Sequence, residues 1–227
     1  MALTSQQIVT LACQIAKVPG YTAQGGQLLN FVLHELAQTY DFDFYAKYST
    51  IDLLGGTTTY DMPADHLRTR EAYYYVNGQP FYLNQIDIRR YHQLYNGPGV
   101  DSYPTMFAVD VSQSPNQFLP YQPPTQALTL NLVYFPSHTD ITTPETSSTV
   151  PWFPQQTYLV KSVAARLLDI ADDPSKQAKL DMDAKNILSG FLSSDDDKEG
   201  YPQRVKLDRG LFRQGGGALK PTKNQPL

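Results

Sequence analysis

Aspartate pairs are the residues of this sequence that come closest to a catalytic pattern. Asp41 and Asp43 are two residues apart, as are Asp181 and Asp183, and three aspartates follow one another at 195–197. Carboxylates that converge from several elements can hold two divalent cations and support phosphodiester hydrolysis. Residues two apart in a helix do not share a face, so Asp181 and Asp183 do not form such a pair. We interpret the three groups as solvated surface and keep a metal-dependent enzyme as one alternative.

Histidine and cysteine show no spacing typical of a metal site or a nucleophile. No two histidines stand four residues apart and none belongs to an HExxH motif; they are His34, His66, His92 and His138. The single cysteine, Cys13, lies among apolar residues, which predicts a small core residue without a disulfide partner in the chain. Motifs of nucleotide-binding loops and of acyl-transfer serines are lacking as well. We therefore expect no cofactor, no metal and no catalytic residue.

Charge is distributed unevenly along the 227 residues. Residues 1–197 carry eleven Lys and Arg against twenty Asp and Glu, whereas residues 198–227 carry seven against two. An acidic body with a basic arm predicts that the arm has a partner of its own. The 16 tyrosines and 17 prolines favour β-structure and large contact surfaces. The first residues lack a basic segment and no apolar run is long enough to span a bilayer, so we expect neither a signal peptide nor a membrane segment.

The basic arm alternates charged and apolar residues. In an extended chain Val205, Leu207 and Arg209 point to one side, and Lys206 and Asp208 point to the other. This alternation suits a protein groove more than a DNA duplex, and an arm that becomes ordered on binding can follow a long path on its partner. Contact with phosphates and an arm without a partner remain open. The residues that we expect to dock are Arg204, Val205, Lys206, Leu207, Arg209, Leu211, Phe212 and Arg213.

Helices are predicted before and after the middle of the chain. Thr4 and Gln7 fit a capping box, and the apolar face that follows consists of Ile8, Leu11, Ala12 and Ile15. A second face extends from Leu29 to Tyr40, but Gly25 and Gly26 leave its start uncertain. A third covers 160–171. After it Pro174 fits the first turn of a fourth helix, with Asp172 or Asp173 as its cap.

The middle of the chain has the pattern of strands. Two β-prone runs around Gly55 and Gly56 predict one hairpin, and Asn77 with Gly78 predicts a second hairpin with a type I′ turn. Pro80 cannot donate to a ladder, which places its strand at an edge or makes it the first residue. A short helix is predicted at 88–95, and further strands at 104–111, 116–121 and 126–135.

The order of elements predicts an α+β fold with a helical body, an inserted antiparallel β module and an extended C-terminal arm. Neither pair of helices is long enough to bury its apolar face alone, so we expect the N- and C-terminal helices to pack together. The predicted domains are a helical body at 1–44 and 152–197, a β-rich module at 45–151 and the arm at 198–227. The Ser-, Thr- and Pro-rich segment at 136–151 is predicted to be a loop whose role the pattern does not define.

Three stretches resemble the head-to-tail adaptor (connector) proteins of short-tailed bacteriophages. They are YDMPADHLR at 60–68, YYYVNGQPFYL at 73–83, and VPWFPQQTYLVKSVAARLLDIADDPSKQAKLDMDAKNIL at 150–188. The opening helical segment at 6–45 is similar to the N-terminal segment of these proteins. Tyr60, Pro63 and Asp65 form the most recognisable run. The resemblance covers most of residues 4–195.

This resemblance implies a structural, non-catalytic virion protein that is assembled in the host cytoplasm. Its relatives form a homo-oligomeric ring, usually of twelve copies, below the portal protein. The helices surround a channel through which double-stranded DNA passes without specific binding, and the C-terminal arm reaches along the portal. The β module meets tail nozzle or tail-fibre proteins; its expected contact residues here are Tyr74, Tyr75, Asn77, Gly78, Phe81 and Tyr82. A DNA-binding or DNA-packaging accessory protein that uses the basic arm is the alternative function.

Overall fold

The computed structural model describes residues 2–94 and 103–196, and in them helices precede and follow a set of strands. The helices are α1 Ser5–Ala16, α2 Thr22–Thr39, α3 Ile88–Leu94, α4 Gln156–Ile170 and α5 Pro174–Asp196, with a 3-10 turn at Asp43–Tyr45. The strands are β1 Lys47–Leu53, β2 Tyr60–Asp61, β3 His66–Val76, β4 Gln79–Tyr82, β5 Asn84–Gln85, β6 Met106–Asp110, β7 Gln117–Tyr121 and β8 Leu128–Pro136. The α+β prediction is confirmed.

One apolar core joins the helices from the two ends of the described chain. Helix α4 lies at its centre and contacts α1, α2 and α5. The core includes Ile8 of α1, Leu33 of α2, Leu167 of α4 and Leu188 of α5, all less than a tenth exposed. The expected packing of the N- and C-terminal helices is therefore observed. Each pair buries the stripe that the other leaves uncovered, and this burial supplies the main stabilisation.

The buried face of α1 differs from the prediction. Its capping box is present as predicted, with Thr4 and Gln7 bonded to each other's backbone. Leu11 and Ile15, however, are 37% and 43% exposed, and Val9 and Cys13 are buried instead. The reason is that α1 sits in the groove between α2 and α4, which turns positions 8, 9, 12 and 13 inward.

Gly25 explains how α1 and α2 approach so closely. Helix α2 begins at Thr22, so this glycine lies in its first turn and is buried. A Cβ atom built on Gly25 would lie 3.1 Å from Cγ1 of Val9 and 3.5 Å from Sγ of Cys13. The glycine that weakens the sequence pattern of the helix start is thus required by packing.

The strands form two four-stranded sheets, with orders β1-β8-β3-β4 and β2-β7-β6-β5. The hairpin predicted around Gly55 and Gly56 is wrong, because β1 pairs with β8 and β2 pairs with β7. The two glycines instead pack on another loop: Gly56 donates to the carbonyl of Pro124, and a Cβ on Gly55 would lie 2.9 Å from the carbonyl oxygen of Thr125. Close approach to another backbone requires Gly55, and a positive φ angle of 79° favours glycine at position 56.

The second predicted hairpin is confirmed. Asn77 and Gly78 have φ angles of 51° and 78° between β3 and β4, and Val76 faces Gln79. Strand β4, which contains Pro80, is an edge strand as expected. The antiparallel prediction holds for the first sheet, whereas β5 and β6 pair in parallel and make the second sheet mixed. The inner faces of the two sheets share a core that includes Leu130, Leu132, Phe107 and Phe118.

Candidate functional site

Arg68 connects the first sheet to the helical core. From β3 its guanidinium donates hydrogen bonds to the backbone carbonyls of Ala37, Gln38 and Tyr40 at the C-terminal end of α2. The same group lies 2.6 Å from a carboxylate oxygen of Asp41. The last carbonyls of a helix carry partial negative charge and lack intrahelical partners, so an arginine is suited to them. Arg68 therefore caps α2 from another part of the fold.

Asp65 holds three segments of the junction together. Its carboxylate accepts hydrogen bonds from Lys47 at 2.6 Å and from the Tyr134 hydroxyl at 2.8 Å, and its backbone carbonyl accepts one from the Ser137 amide at 2.7 Å. Burial acts to raise the pKa of Asp65, but the bonds from Lys47 and Tyr134 outweigh it, so this pKa is lowered. Burial and the bond to Asp65 raise the pKa of Tyr134 to about 12.

His66 is a buried neutral residue. The Asn116 amide donates to its Nδ1, at 3.1 Å, and to its backbone carbonyl, at 2.9 Å. With Nδ1 accepting, Nε2 carries the proton and donates to Oγ1 of Thr69 at 2.9 Å. Burial lowers the pKa of His66 to about 4. The stretch 60–68 is thus a structural junction in which Tyr60 also fixes the preceding loop through two hydrogen bonds to the backbone of Leu54.

The Ser-, Thr- and Pro-rich segment at 137–150, which we call the strap, lies along α1 and α2. The amide and hydroxyl of Ser5 both donate to the carbonyl of Thr149. The side chain of Asn30 donates to the carbonyl of Ile141 and accepts from its amide, each at 3.1 Å. Gly26 leaves space for Glu145, whose carboxylate would lie 2.7 Å from a Cβ there. The strap is therefore bound to the helical core, a role that its composition did not reveal.

Two histidines meet where the strap crosses α2. His34 bonds through Nε2 to Asp140 at 2.9 Å, and its ring meets that of His138 edge-on with centroids 5.0 Å apart. Burial, and then His34, lower the pKa of His138 to about 4. A shallow surface pocket of about 370 Å³ opens beside them and is lined by Gln27, Asn30, Phe31, His34 and Asp140. Sequence patterns do not predict this cluster, because the two histidines are 104 positions apart in the chain.

The aspartate pairs of the sequence lie in ion pairs. Asp41 pairs with Arg68 and Asp43 with Arg70, whereas Asp181 pairs with Lys185 at 2.6 Å and Asp183 with Lys161 at 3.0 Å. Across residues 2–94 and 103–196 no group of three His, Cys, Asp or Glu side chains is arranged to hold a metal ion. The same residues contain no helix long and apolar enough to cross a membrane.

Five of the six predicted contact residues of the β module lie on the surface of the β3–β4 hairpin. Tyr75, Phe81 and Tyr82 are 55%, 50% and 61% exposed, and Asn77 and Gly78 form the exposed turn. Tyr74 is a correction: it is only 2% exposed, and its hydroxyl donates to the carbonyl of Pro104 at 3.0 Å. Alternation along β3 turns Tyr74 into the core while Tyr73 and Tyr75 point outward.

Other predicted contact residues belong to the arm, which lies outside the described residues. These are Arg204, Val205, Lys206, Leu207, Arg209, Leu211, Phe212 and Arg213. The helical core itself exposes large apolar side chains on four helices that the sequence analysis did not single out as a surface: Leu11, Ile15, Phe31, Ile170 and Met182.

The model of the SU10 adaptor protein family matches residues 4–206. The chain belongs to this family. SU10 adaptor proteins are phage head–tail adaptors, so the protein is a structural adaptor of a bacteriophage and a virion component of the head–tail junction. The match includes both helical segments, the strap and the two sheets. It also includes Arg204, Val205 and Lys206, the first three arm residues that are expected to dock. A search of curated proteins finds no match.

Proposed function

We propose that this SU10 adaptor protein forms a homo-oligomeric ring below the portal, extends the DNA channel and docks tail components. The observation that carries the proposal is the match to a phage head–tail adaptor family over residues 4–206. In the proposed arrangement residues 1–44 and 152–197 form the ring body, and residues 45–151 project towards the tail. We take the ring to contain twelve copies.

Exposed apolar side chains on the helical core support ring formation. Phe31 is 63% exposed, Met182 65% and Ile170 50%, and Leu11 and Ile15 lie one turn apart on α1. Neighbouring subunits would remove these side chains from water, at about 25 cal/mol for each Å² of apolar surface.

Charge supports a channel that passes DNA without binding it. Residues 1–197 contain eleven Lys and Arg against twenty acids. Seven of these bases are already paired with carboxylates in the described residues; they are Lys47, Arg68, Arg70, Lys161, Arg166, Lys176 and Lys185. The remaining surplus is negative, and a negative wall repels phosphates. A body of this charge does not favour counterion release on DNA.

The arm would dock on the portal protein. Its charged residues would pair with acidic groups of the portal, and Val205, Leu207, Leu211 and Phe212 would fill apolar contacts along a groove. The exposed hairpin residues Tyr75, Phe81 and Tyr82 would face nozzle or fibre proteins of the tail.

Truncation after Gly200 tests the docking. The truncated and full-length proteins are mixed with purified portal and imaged by electron microscopy. We expect rings on the portal with the full-length chain only, and an unchanged circular dichroism spectrum for the truncated chain. Equal ring formation by both would contradict docking through the arm. Replacement of Leu207, Leu211 and Phe212 by Ser separates apolar contacts from charge, since a purely electrostatic arm would keep its salt-dependent binding.

A gel shift with duplex DNA over a series of salt concentrations tests the alternative function. Binding to phosphates weakens steeply as salt rises. A shift that depends on residues 201–227 and disappears with salt would favour a DNA-binding accessory protein over an adaptor docked through its arm.

A further inference from the structure

The outer face of the first sheet carries four tyrosines, which we call the tyrosine face: Tyr48, Tyr73, Tyr75 and Tyr82. Strand pairing brings them together, because Tyr73 faces Tyr82, Tyr75 faces Pro80, and Tyr48 faces Val133 of the central strand β8. They surround a shallow groove of about 270 Å³, which Val133, Pro80, Arg70 and Glu71 also line. Two of the four, Tyr48 and Tyr73, were not among the predicted contact residues.

The rings of this face pack against one another along the groove. Tyr73 meets Tyr75 at an interplanar angle of 86° with centroids 5.7 Å apart, and it meets Tyr82 at 42° and 5.3 Å. Val133, only 5% exposed, forms an apolar floor, whereas Tyr48 is 79% exposed. The solvent face of an antiparallel sheet is normally polar, so a cluster of exposed aromatic rings around an apolar floor indicates a contact surface.

The charge beside the groove is negative. The guanidinium of Arg70 pairs with Asp43, and its Nε lies 4.0 Å from a carboxylate oxygen of Glu71. One base therefore stands between two acids, and the Glu71 side chain is 45% exposed. The groove thus complements a positively charged ligand, and the open faces of the tyrosine rings also attract cations.

We propose that the tyrosine face binds an extended, proline-bearing, basic polypeptide segment of a partner protein. A polyproline II segment presents flat pyrrolidine rings at regular intervals and leaves its carbonyls without internal hydrogen bonds. In the groove the exposed tyrosine rings pack on such pyrrolidine rings, the phenol hydroxyls donate to such carbonyls, and Glu71 pairs with an adjacent Lys or Arg. Addition of a strand at the β4 edge fits less well, because Pro80 has no N–H to donate.

This inference deepens the proposed function. It rests on that function only for the identity of the partner, which we take to be a tail component. The binding surface itself is complete within one subunit, since all four tyrosines and Glu71 belong to strands of the same sheet. Ring formation on the portal and peptide binding by the tyrosine face can therefore succeed or fail separately.

Fluorescence anisotropy with the full-length protein tests the inference. The probe is a fluorescein-labelled peptide with the repeat Arg-Pro-Pro; one matched peptide has Gly-Ser in place of Pro-Pro, and another has Glu in place of Arg. We expect saturable binding of the first peptide, and binding at least about tenfold weaker for the other two. Absence of saturable binding, or equal binding of the Gly-Ser peptide, would overturn the proposal.

Variants of the protein locate the site. We expect Tyr75→Ala with Tyr82→Ala to weaken binding of the Arg-Pro-Pro peptide by about tenfold or more. The matched control is Tyr21→Ala, since Tyr21 is 39% exposed at the start of α2 in the helical core. Glu71→Arg leaves all rings in place and is the second variant if the double variant does not fold; it should also weaken the basic peptide. Unchanged affinity in Glu71→Arg and in a folded double variant would place the peptide elsewhere and defeat the proposal.

The same variants separate this proposal from the proposed function. Mixed with purified portal, the Tyr75→Ala/Tyr82→Ala protein should form rings like the unmodified protein. Loss of peptide binding with intact rings supports the tyrosine face. Peptide binding by a protein that forms no rings on the portal would defeat the proposed function and leave the tyrosine face standing.

Discussion

Arg68 has the most connected side chain of the junction between helices and sheets. It satisfies the carbonyls of Ala37, Gln38 and Tyr40 and pairs with Asp41. We expect Arg68→Ala to lower the free energy of unfolding by about 2–3 kcal/mol, because several carbonyls lose a charged donor at once. Urea denaturation followed by circular dichroism measures this loss.

Arg89→Ala is the matched control for Arg68→Ala. Arg89 is an exposed residue in the first turn of α3. Its replacement should change the free energy of unfolding by less than about 0.5 kcal/mol. Equal effects of the two substitutions would show that the capping contacts of Arg68 contribute nothing beyond a surface charge.

The buried histidines predict a loss of stability in mild acid. Burial lowers the pKa of His66 and, together with His34, that of His138, each to about 4 from 6.5. Between pH 6.5 and 4 the unfolded chain therefore binds more protons than the folded one, and the free energy of unfolding falls as the pH falls. The slope is at most about 1.4 kcal/mol per pH unit for each histidine.

Urea denaturation at pH 7.0, 6.0 and 5.0 measures this slope, and His66→Gln should reduce it. The carboxylate of Asp65 lowers the free energy of unfolding only at lower pH, because its pKa in the folded state is depressed below 3.8. The stability that it contributes is lost as the pH falls below 3.8 and through the folded-state pKa. A free energy of unfolding that is constant from pH 7.0 to 5.0 would be incompatible with two buried neutral histidines.

Among the elements, the β3–β4 hairpin requires its glycine, Gly78, whereas helix α5 does not require its own, Gly190. Gly78 has a φ angle of 78° at the turn, whereas Gly190 lies inside α5 with nothing within 4 Å of an added Cβ. We expect Gly78→Ala to destabilise the protein by about 1 kcal/mol, because the turn requires a left-handed residue. Gly190→Ala should stabilise it by up to about 1 kcal/mol through helix propensity.

We expect thermal melts of these two variants to show shifts of the melting temperature in opposite directions. Shifts of the same sign would mean that backbone conformation does not govern the effect of glycine replacement at these sites.

The start of helix α5 is set by a neighbouring side chain: Asp173, one of the two predicted caps, accepts a hydrogen bond from the Lys176 amide at 3.4 Å.

For the whole molecule, the exposed stripe on α1 gives a test of assembly. Replacing Leu11 and Ile15 with Gln should leave the free energy of unfolding within about 0.5 kcal/mol of the unmodified value, because both side chains are more than a third exposed. It should weaken assembly on purified portal if neighbouring subunits cover α1. Sedimentation velocity of the portal mixture measures the assembled fraction.

Val111→Gln serves as the control for assembly, since Val111 is 71% exposed just after β6, away from the helical core. Assembly that is unaffected by the changes in α1, or equally impaired by Val111→Gln, would remove α1 from the subunit contact.

Local features of this protein followed from the sequence because each depends on a few neighbouring residues. The capping box at Thr4, the type I′ turn at Asn77 and Gly78, and the edge position of Pro80 were predicted and are present. The family resemblance, which rests on element order, is confirmed by the match over residues 4–206. The roles of the arm residues 204–213 stay a prediction.

Tertiary structure alone decided what depends on distant partners. Gly55 packs against Thr125 rather than closing a hairpin, and the paired residues of β1 and β8 are 75 to 87 positions apart. Packing between α2 and α4 turned Leu11 outward, and the register of β3 turned Tyr74 inward and Tyr73 outward. A sequence pattern defines the spacing of apolar residues, but the neighbouring element determines which face of the helix or strand is buried.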